Sequence, residues 1–229
     1  MKFWPFIQEY WKDIGREIEG IADGSGSRLE EIVMLNVSGP LWAYSRDHAI
    51  AGCTSFAVSG NATRGGTTYV GQNDDLWPSF TEFGTIVRIE SETTTSLGFA
   101  LAGEFPRIGL NSHGLALCVN GLYDGIGKPG VGQTIISREI LEQKRIGDAL
   151  NAIMRARRGH AANTVIGDRN GELYDVEMTT QGYEVIYGED TIAHANHFLA
   201  KELAKRDLGV ERGSGSLVRY NRLRKLLHK

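Results

Sequence analysis

The N-terminal part of the chain has the hydrophobic pattern of helices. Apolar residues recur every three or four positions along residues 3–22, the spacing of a helix with one buried face. A run rich in Gly and Ser ends this helix, and Ser27 with Glu30 forms a capping-box pattern that opens a second helix over residues 29–35. Gly39-Pro40 then ends the helical region. The pattern therefore predicts a helical segment ahead of the rest of the chain.

From residue 53 onwards, short alternating runs bounded by Gly and polar turns predict strands. The predicted strands occupy residues 55–59, 67–71, 85–90, 96–102, 107–110 and 115–119, and then 163–167, 171–179, 183–187 and 192–198. Helical spacing predicts helices over residues 134–143 and 146–157, between the two groups of strands, and over 217–229. This order fits an α+β fold in which two sheets pack face to face between helical layers. An ordinary α+β domain fits the same periodicity.

Composition excludes several classes of function. The chain has 229 residues, 41% hydrophobic and 23% charged, which suits one large domain or two small ones. Its net charge of −3 gives no reason to expect nucleic acid or an anionic membrane as a partner. No apolar run approaches the roughly 18 residues needed to cross a bilayer, and the N-terminus lacks a signal-peptide pattern, so a cytoplasmic location is expected. No metal-ligand spacing is present, the glycine-rich loop at 125–132 lacks a phosphate-binding pattern, and no cofactor is predicted.

The candidate chemistry centres on the stretch Ala51–Phe56, where Cys53 directly follows Gly52. Glycine has no side chain, so its carbonyl is open to attack by the neighbouring thiol. Cleavage of the Gly52–Cys53 peptide would make Cys53 a new N-terminus that carries both a thiol and an α-amine. Because a free α-amine has a pKa of about 7.7–8.0, it suits the role of base for its own thiol. The sequence therefore predicts a self-processing N-terminal-nucleophile amide hydrolase.

Three other interpretations of Cys53 stay open. A cysteine at the start of a strand can be an ordinary core residue. A papain-like hydrolase would pair Cys53 with His113, His194 or His197, although that arrangement places the cysteine at a helix N-terminus and here a strand follows. A non-catalytic small-molecule binding protein would carry the same residues and would never be cleaved. The two cysteines, Cys53 and Cys118, are expected to be free thiols.

Five sequence blocks stand in order along nearly the whole chain. They are Gly52-Cys53-Thr54, Gly71-Gln72-Asn73-Asp74-Asp75, Gly114-Leu115 with Asn120-Gly121, Asn196-His197-Phe198, and Ser216 with Arg219 and Arg222. Together they resemble the isopenicillin N acyltransferase family, within the choloylglycine hydrolase-like group of N-terminal-nucleophile hydrolases. The resemblance implies a four-layer αββα sandwich of antiparallel sheets. It also implies self-cleavage into a helical prosegment, residues 1–52, and a hydrolase domain, residues 53–229, and action on small-molecule amide or acyl substrates with the prosegment as a partner.

The same resemblance implies roles for five residues. Cys53 would be the nucleophile in processing and in turnover, with its own freed amine as base. Asp75 would orient that amine, and Asn196 would supply an oxyanion donor, a contribution of about 3–4 kcal/mol. Asn120 would be a second asparagine near the pocket, and Arg219 would hold Asp75 or a substrate carboxylate. The sequence decides neither between hydrolysis and acyl transfer nor whether the chain forms a homo-oligomer.

Some residues of these blocks also fit ordinary structural roles. Asp75 fits a turn or helix cap, Asn120-Gly121 fits a turn, and Arg219 fits a solvated helix position. Asp74 stands where relatives often have an aromatic residue, and its role is open. Because relatives continue well past Lys229, we expect this chain to be either truncated or reduced.

Overall fold

The computed structural model describes residues 1–44, 52–210 and 215–228. Its helices are α1 (Trp4–Tyr10), α2 (Lys12–Ser25), α3 (Leu29–Asn36), α4 (Ser38–Tyr44), α5 (Gln133–Ile140), α6 (Ile146–Arg155), α7 (Lys201–Ala204) and α8 (Gly215–Leu227), with a 3-10 helix over Pro78–Phe83. Its strands are β1 (Gly52–Gly60), β2 (Gly66–Asp75), β3 (Gly84–Glu90), β4 (Thr95–Leu101), β5 (Ile108–Asn111), β6 (Leu115–Gly121), β7 (Ala162–Asp168), β8 (Leu173–Met178), β9 (Tyr183–Gly188) and β10 (Thr191–His194). The order of helices and strands is the predicted one.

The strands form two antiparallel sheets that pack face to face. The small sheet has the order β10-β1-β2, and the large sheet runs from β3 to β9 in sequence order. Strands β1 and β2 contact β6 and β7, while α8 contacts β1 and β10 on the other side of the small sheet. Helices α1 to α3, α5 and α6 share a core with β6, β7 and β8 on the outer face of the large sheet. The layers therefore follow the order α, β, β, α, which confirms the predicted sandwich.

The central strands are buried because both of their faces are covered. All seven residues of β7 are buried. Successive side chains of a strand point to opposite faces, so Val165 packs with Ala57 and Ile192 of the small sheet. Its neighbour Ile166 joins the core shared with the helices. This packing places β1, which carries the candidate nucleophile, directly against the large sheet.

The N-terminal helices are part of the main core. Ile14 and Ile18 have no exposed surface and share a cluster with α5 and α6. Complete burial of such a side chain contributes about 1.5–3 kcal/mol. Arg138 of α5 also donates two hydrogen bonds to the carboxylate of Glu17, at 2.9 and 2.7 Å. These contacts hold the segment in place independently of its covalent link to β1.

The structure corrects the prediction in the N-terminal helices. The single helix predicted over residues 3–22 is two helices, because Trp11 adopts an extended conformation (φ −154°, ψ 108°) between α1 and α2. The helix begins after Arg28 in place of Ser27, and only half of a capping box forms: Glu31 accepts the backbone N–H of Arg28 at 2.9 Å, while the arginine side chain has no acceptor to offer in return. Helix α4 runs through Gly39-Pro40, because a proline is tolerated in the first turn of a helix.

Three further differences lie in the second half of the chain. The strand predicted over residues 192–198 ends at His194, since the following residues turn out of the sheet towards α8. The region predicted as a loop from Glu202 begins inside α7. Part of the polar run Gly213–Ser216 lies outside the described residues. Within the described ranges, no helix has the length and apolar character that a membrane span requires.

Candidate active site

The register of the hairpin formed by β1 and β2 places the acidic residues of the site. Cys53 pairs with Asp74, and Gly52 pairs with Asp75. Directly paired residues on neighbouring strands point to the same face, and successive residues point to opposite faces. Asp74 therefore shares the inner face of the small sheet with Cys53, and its side chain is only 11% exposed. Asp75 lies on the outer face and is exposed.

The Cys53 thiol is surrounded by groups from both sheets. Its Sγ lies 3.3 Å from Asp74 Oδ1. Gly121 and Asn196 adjoin the sulfur, and their polar groups favour its thiolate form, while Asn196 Nδ2 donates a hydrogen bond to the carbonyl of Gly121 at 3.0 Å. Burial, and then the Asp74 carboxylate, raise the pKa of the Cys53 thiol to about 12, while the N–H donors act in the opposite direction. Because the thiolate is the reactive form, this thiol needs a base before it can act as a nucleophile at neutral pH.

The peptide unit of Cys53 is held by Asn196 and Arg219. The N–H of Cys53 donates to Asn196 Oδ1 at 2.7 Å, and the carbonyl of Cys53 accepts a hydrogen bond from Arg219 Nη1. Arg219 also donates to Thr54 Oγ1 at 2.7 Å and to Asn196 Oδ1 at 2.8 Å. Ser216, three residues earlier on α8, accepts the backbone N–H of Asn196 at 2.7 Å. One face of α8 therefore positions both the asparagine and the backbone of the cysteine.

Asp75 and Arg219 lie beside Gly52, at the bond predicted to be cleaved. A Cβ atom at Gly52 would stand 2.8 Å from Asp75 Oδ2 and 3.2 Å from Arg219 Nη2, so glycine leaves the room that both groups need. Among the residues that the structure describes, Asp75 forms no ion pair within 4.0 Å. Arg219 therefore binds Cys53 and Asn196 and forms no ion pair with Asp75; the other predicted role, binding of a substrate carboxylate, stays a prediction. The catalytic role of Asp75 stays a prediction.

Asn120 supports the segment that carries Asn196. Its side chain is buried and donates to the carbonyl of Ala195 at 3.0 Å, and its backbone N–H donates to Asn163 Oδ1 at 3.0 Å. Asn163 in turn donates to Asp175 Oδ1 at 2.6 Å. Asn120 thus fixes the backbone directly before Asn196, and its predicted role at the pocket stays a prediction.

The three histidines considered as partners of Cys53 bind other groups. Within the described part of the chain, none of them hydrogen-bonds to the Cys53 sulfur. Their partners are Thr93 for His113, Glu177 for His194 and Ser216 for His197. The Cys-His pair of the papain-like interpretation is therefore not formed.

A buried cluster of Asp175, Glu177 and His194 lies beside Ala195, and potential ligand atoms of the three side chains lie within 4.8 Å of one another. Burial raises the pKa of Asp175 to about 6. Burial lowers the pKa of His194, but the two carboxylates outweigh it and raise the pKa overall. The two ring nitrogens of His194 lie 2.6 Å from Ala195 O and 2.8 Å from Glu177 Oε1, so both nitrogens face acceptors, an arrangement that favours the protonated ring. The three side chains form a buried cluster in which His194 pairs with Glu177 at 2.8 Å.

Sequence reasoning left Asp74 without a role, yet it contacts the thiol. Its Oδ2 is buried, has no hydrogen-bond partner among the described residues, and lies 3.8 Å from Arg107 Nη1. The signal that could have identified it is the register of the β1–β2 hairpin, which pairs Asp74 with Cys53. That register depends on the turn between residues 60 and 66, which the sequence predicts only approximately.

Comparison with known proteins identifies related chains. Residues 62–229 match the profile of a family described as acyl-coenzyme A:6-aminopenicillanic acid acyl-transferase. One curated relative is the acyl-coenzyme A:6-aminopenicillanic-acid-acyltransferase 40 kDa form of Emericella nidulans, which is 29% identical over 198 residues. The match covers 84% of this chain and 54% of that relative, so this chain spans little more than half of the relative's length.

Two solved structures were found to be similar, and the first supports the shared fold. A Caenorhabditis elegans ortholog of N-acylethanolamine-hydrolyzing acid amidase superposes with a TM-score of 0.53 and 16% identity, over 66% of this chain and 73% of that chain. A mutant conjugated bile acid hydrolase from Clostridium perfringens gives a TM-score of 0.47 and 15% identity, over 62% of this chain and 53% of that chain. The likeness to the first structure supports the shared sandwich of two sheets between helices.

Proposed function

This chain belongs to the acyl-coenzyme A:6-aminopenicillanic acid acyl-transferase family, and from that premise we propose that it is a self-processing enzyme with Cys53 as its N-terminal nucleophile. Cleavage of the Gly52–Cys53 bond divides it into a prosegment, residues 1–52, and a hydrolase domain, residues 53–229. The observation that carries the proposal is that every polar group of Cys53 has a partner. Asn196 binds its nitrogen, Arg219 binds its carbonyl, and Asp74 contacts its thiol.

The amine freed by cleavage is the proposed base in turnover. A free α-amine has a pKa of about 7.7–8.0, so it accepts a thiol proton near neutral pH. Asn196 Oδ1, which accepts the Cys53 N–H at 2.7 Å, keeps that nitrogen in place beside the sulfur. Asp75 Oδ2 lies next to Gly52 and supplies negative charge near the new ammonium group.

The N–H donors at the thiol are the proposed oxyanion hole. The proposed donors are the backbone N–H of Gly121 and the side-chain amide of Asn196, which adjoin the sulfur and favour its charged form. A carbonyl group under attack by that sulfur brings its oxygen within reach of the same donors, and each well-aimed donor contributes about 3–4 kcal/mol. The acyl group passes to the sulfur as a thioester, and the leaving group departs with the proton as an amine from an amide substrate or as a thiol from a thioester substrate. Water or a second amine then releases the acyl group, which gives hydrolysis or acyl transfer.

We propose small molecules with an amide or thioester-linked acyl group as substrates. The Emericella relative is named for acyl-coenzyme A and 6-aminopenicillanic acid, and the worm protein is named as an amidase that hydrolyses N-acylethanolamines. These names suggest two probes, an N-acylethanolamine and an acyl-coenzyme A supplied with 6-aminopenicillanic acid. Release of free acid from either probe indicates hydrolysis, and a new amide indicates acyl transfer.

Mass spectrometry after an acid quench tests the proposed thioester. The fragment 53–229 is expected to gain one acyl group at Cys53, and hydroxylamine is expected to remove it. Cys118→Ala is the matched control. Cys118 is fully buried, so the removal of its thiol should leave the acyl group on the fragment 53–229 unchanged. Turnover of either probe by Cys53→Ala at the wild-type rate contradicts the proposal.

A further inference from the structure

Self-cleavage needs a base that the uncut chain does not obtain from Cys53 itself. Before cleavage, the nitrogen of Cys53 is an amide nitrogen, and its N–H donates to Asn196 Oδ1 at 2.7 Å. An amide nitrogen has no basic lone pair, because resonance draws that pair into the peptide bond. The amine that serves in turnover is therefore absent when the first bond is broken.

Asp74 is the acidic side chain in contact with the thiol. Its Oδ1 lies 3.3 Å from Sγ, as the register that pairs it with Cys53 requires. Its Oδ2 is buried and has no hydrogen-bond partner in the part of the chain that the structure describes. The neighbouring carboxylate, Asp75, is on the opposite face of β2 and is exposed. A buried carboxylate with free acceptor capacity at the attacking atom has the geometry of a general base.

We propose that Asp74 is the catalytic base for self-cleavage, an inference that rests on the function proposed above. Asp74 takes the proton from Sγ while the sulfur bonds to the carbonyl carbon of Gly52. The proton then moves to the Cys53 nitrogen as the carbon–nitrogen bond breaks, which leaves a thioester and a free α-amine. Water adds its oxygen to the Gly52 carbon and returns a proton to the sulfur, which frees the prosegment carboxyl group. The new amine then replaces Asp74 as the base.

Neutralising Asp74 would change the cleavage rate in opposite directions if it acts as a base and if it acts only through its charge. The negative charge of Asp74 raises the pKa of the Cys53 thiol. If Asp74 acted only through its charge, neutralising it would make the thiolate easier to form, and cleavage would become faster. If Asp74 accepts the proton, neutralising it makes cleavage slower. The change Asp74→Asn, which keeps the size of the side chain, therefore separates the two roles by direction.

The test follows the cleavage rate of the freshly folded, full-length chain by intact mass. Asp74→Asn is expected to slow cleavage by about 100-fold or more, the usual contribution of a general base, and Asp74→Glu is expected to recover part of the rate. Glu104→Gln is the matched control, because Glu104 pairs with Arg107 in the same cluster without touching the sulfur. Its cleavage rate is expected to stay well above that of Asp74→Asn, because Glu104 does not take the thiol proton.

The dependence of the cleavage rate on pH is a second measurement, because it would not change if Asp74 had only a structural role. The groups around Asp74 are Cys53, Cys118 and Glu104, together with the guanidinium of Arg107. Asp74→Asn is expected to flatten the dependence of the cleavage rate on pH, because it removes the proton acceptor from the first step. Cleavage of Asp74→Asn at or above the wild-type rate overturns this inference alone, and a wild-type chain that stays whole overturns the proposed function as well.

Discussion

At the scale of single residues, Arg219 connects the parts of the site. Its guanidinium donates to the carbonyl of Cys53, to Thr54 Oγ1 and to Asn196 Oδ1. These acceptors lie on two different segments, and a planar fork of several N–H groups can reach them together. An ammonium group on a flexible stem is a single point of charge and does not have this geometry. The requirement at position 219 is therefore for a guanidinium and not merely for a positive charge.

We expect Arg219→Lys to lower kcat/KM by about 10- to 100-fold while the protein stays folded, because one or two charged hydrogen bonds of about 1.5–3 kcal/mol each are lost. Arg222→Lys, on the exposed side of the same helix, is the matched control and should keep kcat/KM within about twofold. Steady-state kinetics with thermal unfolding of both variants checks the expectation. Equal activity of the two variants would show that Arg219 does not organise the site.

At the scale of elements, buried side chains and hydrogen bonds attach the N-terminal helices to the rest of the protein. Asn36 of α3 accepts the N–H of Phe105 at 2.9 Å and donates to the carbonyl of Gly103 at 2.9 Å. Arg155 of α6 donates to the carbonyl of Tyr10 at 2.6 Å. With the isoleucines of α1 and α2 in the core, these bonds should keep the two fragments together after the peptide bond is cut.

Ile18→Ala is expected to lower the free energy of unfolding by about 2–5 kcal/mol, because it leaves a cavity in the core shared by α2, α5 and α6. In the cleaved protein, the same change should release the fragment 1–52 at a lower urea concentration. Met34→Ala is the control, since Met34 is 57% exposed, and should change the free energy by less than about 0.5 kcal/mol. Urea titration with size-exclusion chromatography measures both effects. A fragment that dissociates from the cleaved wild type without denaturant would contradict this account.

Periodicity predicted the elements well where one face of each is buried. Alternation located both groups of strands, and helical spacing located α5, α6 and α8. Periodicity did not locate the break at Trp11, because apolar residues continue on both sides of it. It also extended the last strand past His194, because Ala195 and Phe198 are buried by other contacts although they lie outside the sheet. Long-range packing decides such boundaries, and single-sequence patterns do not contain it.

At the scale of the whole molecule, the site forms because the register of β1 with β2 and the packing of α8 on the small sheet bring distant residues together. The residues Cys53, Asn196 and Arg219 come from β1, the segment after β10 and α8. The sequence predicted a role for each of them, and the fold brings them into contact; their catalytic roles stay predictions. The face on which Asp74 lies could not be known without the pairing of β1 with β2. The buried ion pair of Glu177 and His194 was also missed, because only the fold brings β8 and β10 together.

The central claim is that the folded chain cuts itself at one peptide bond, before Cys53. The most direct measurement is the intact mass of freshly folded protein over time, for the wild type and for Cys53→Ala. We expect the wild type to become two fragments, residues 1–52 and 53–229, that still elute together, and Cys53→Ala to stay whole. A wild-type chain that stays whole, or a Cys53→Ala chain that is cut at the same bond, would contradict the account.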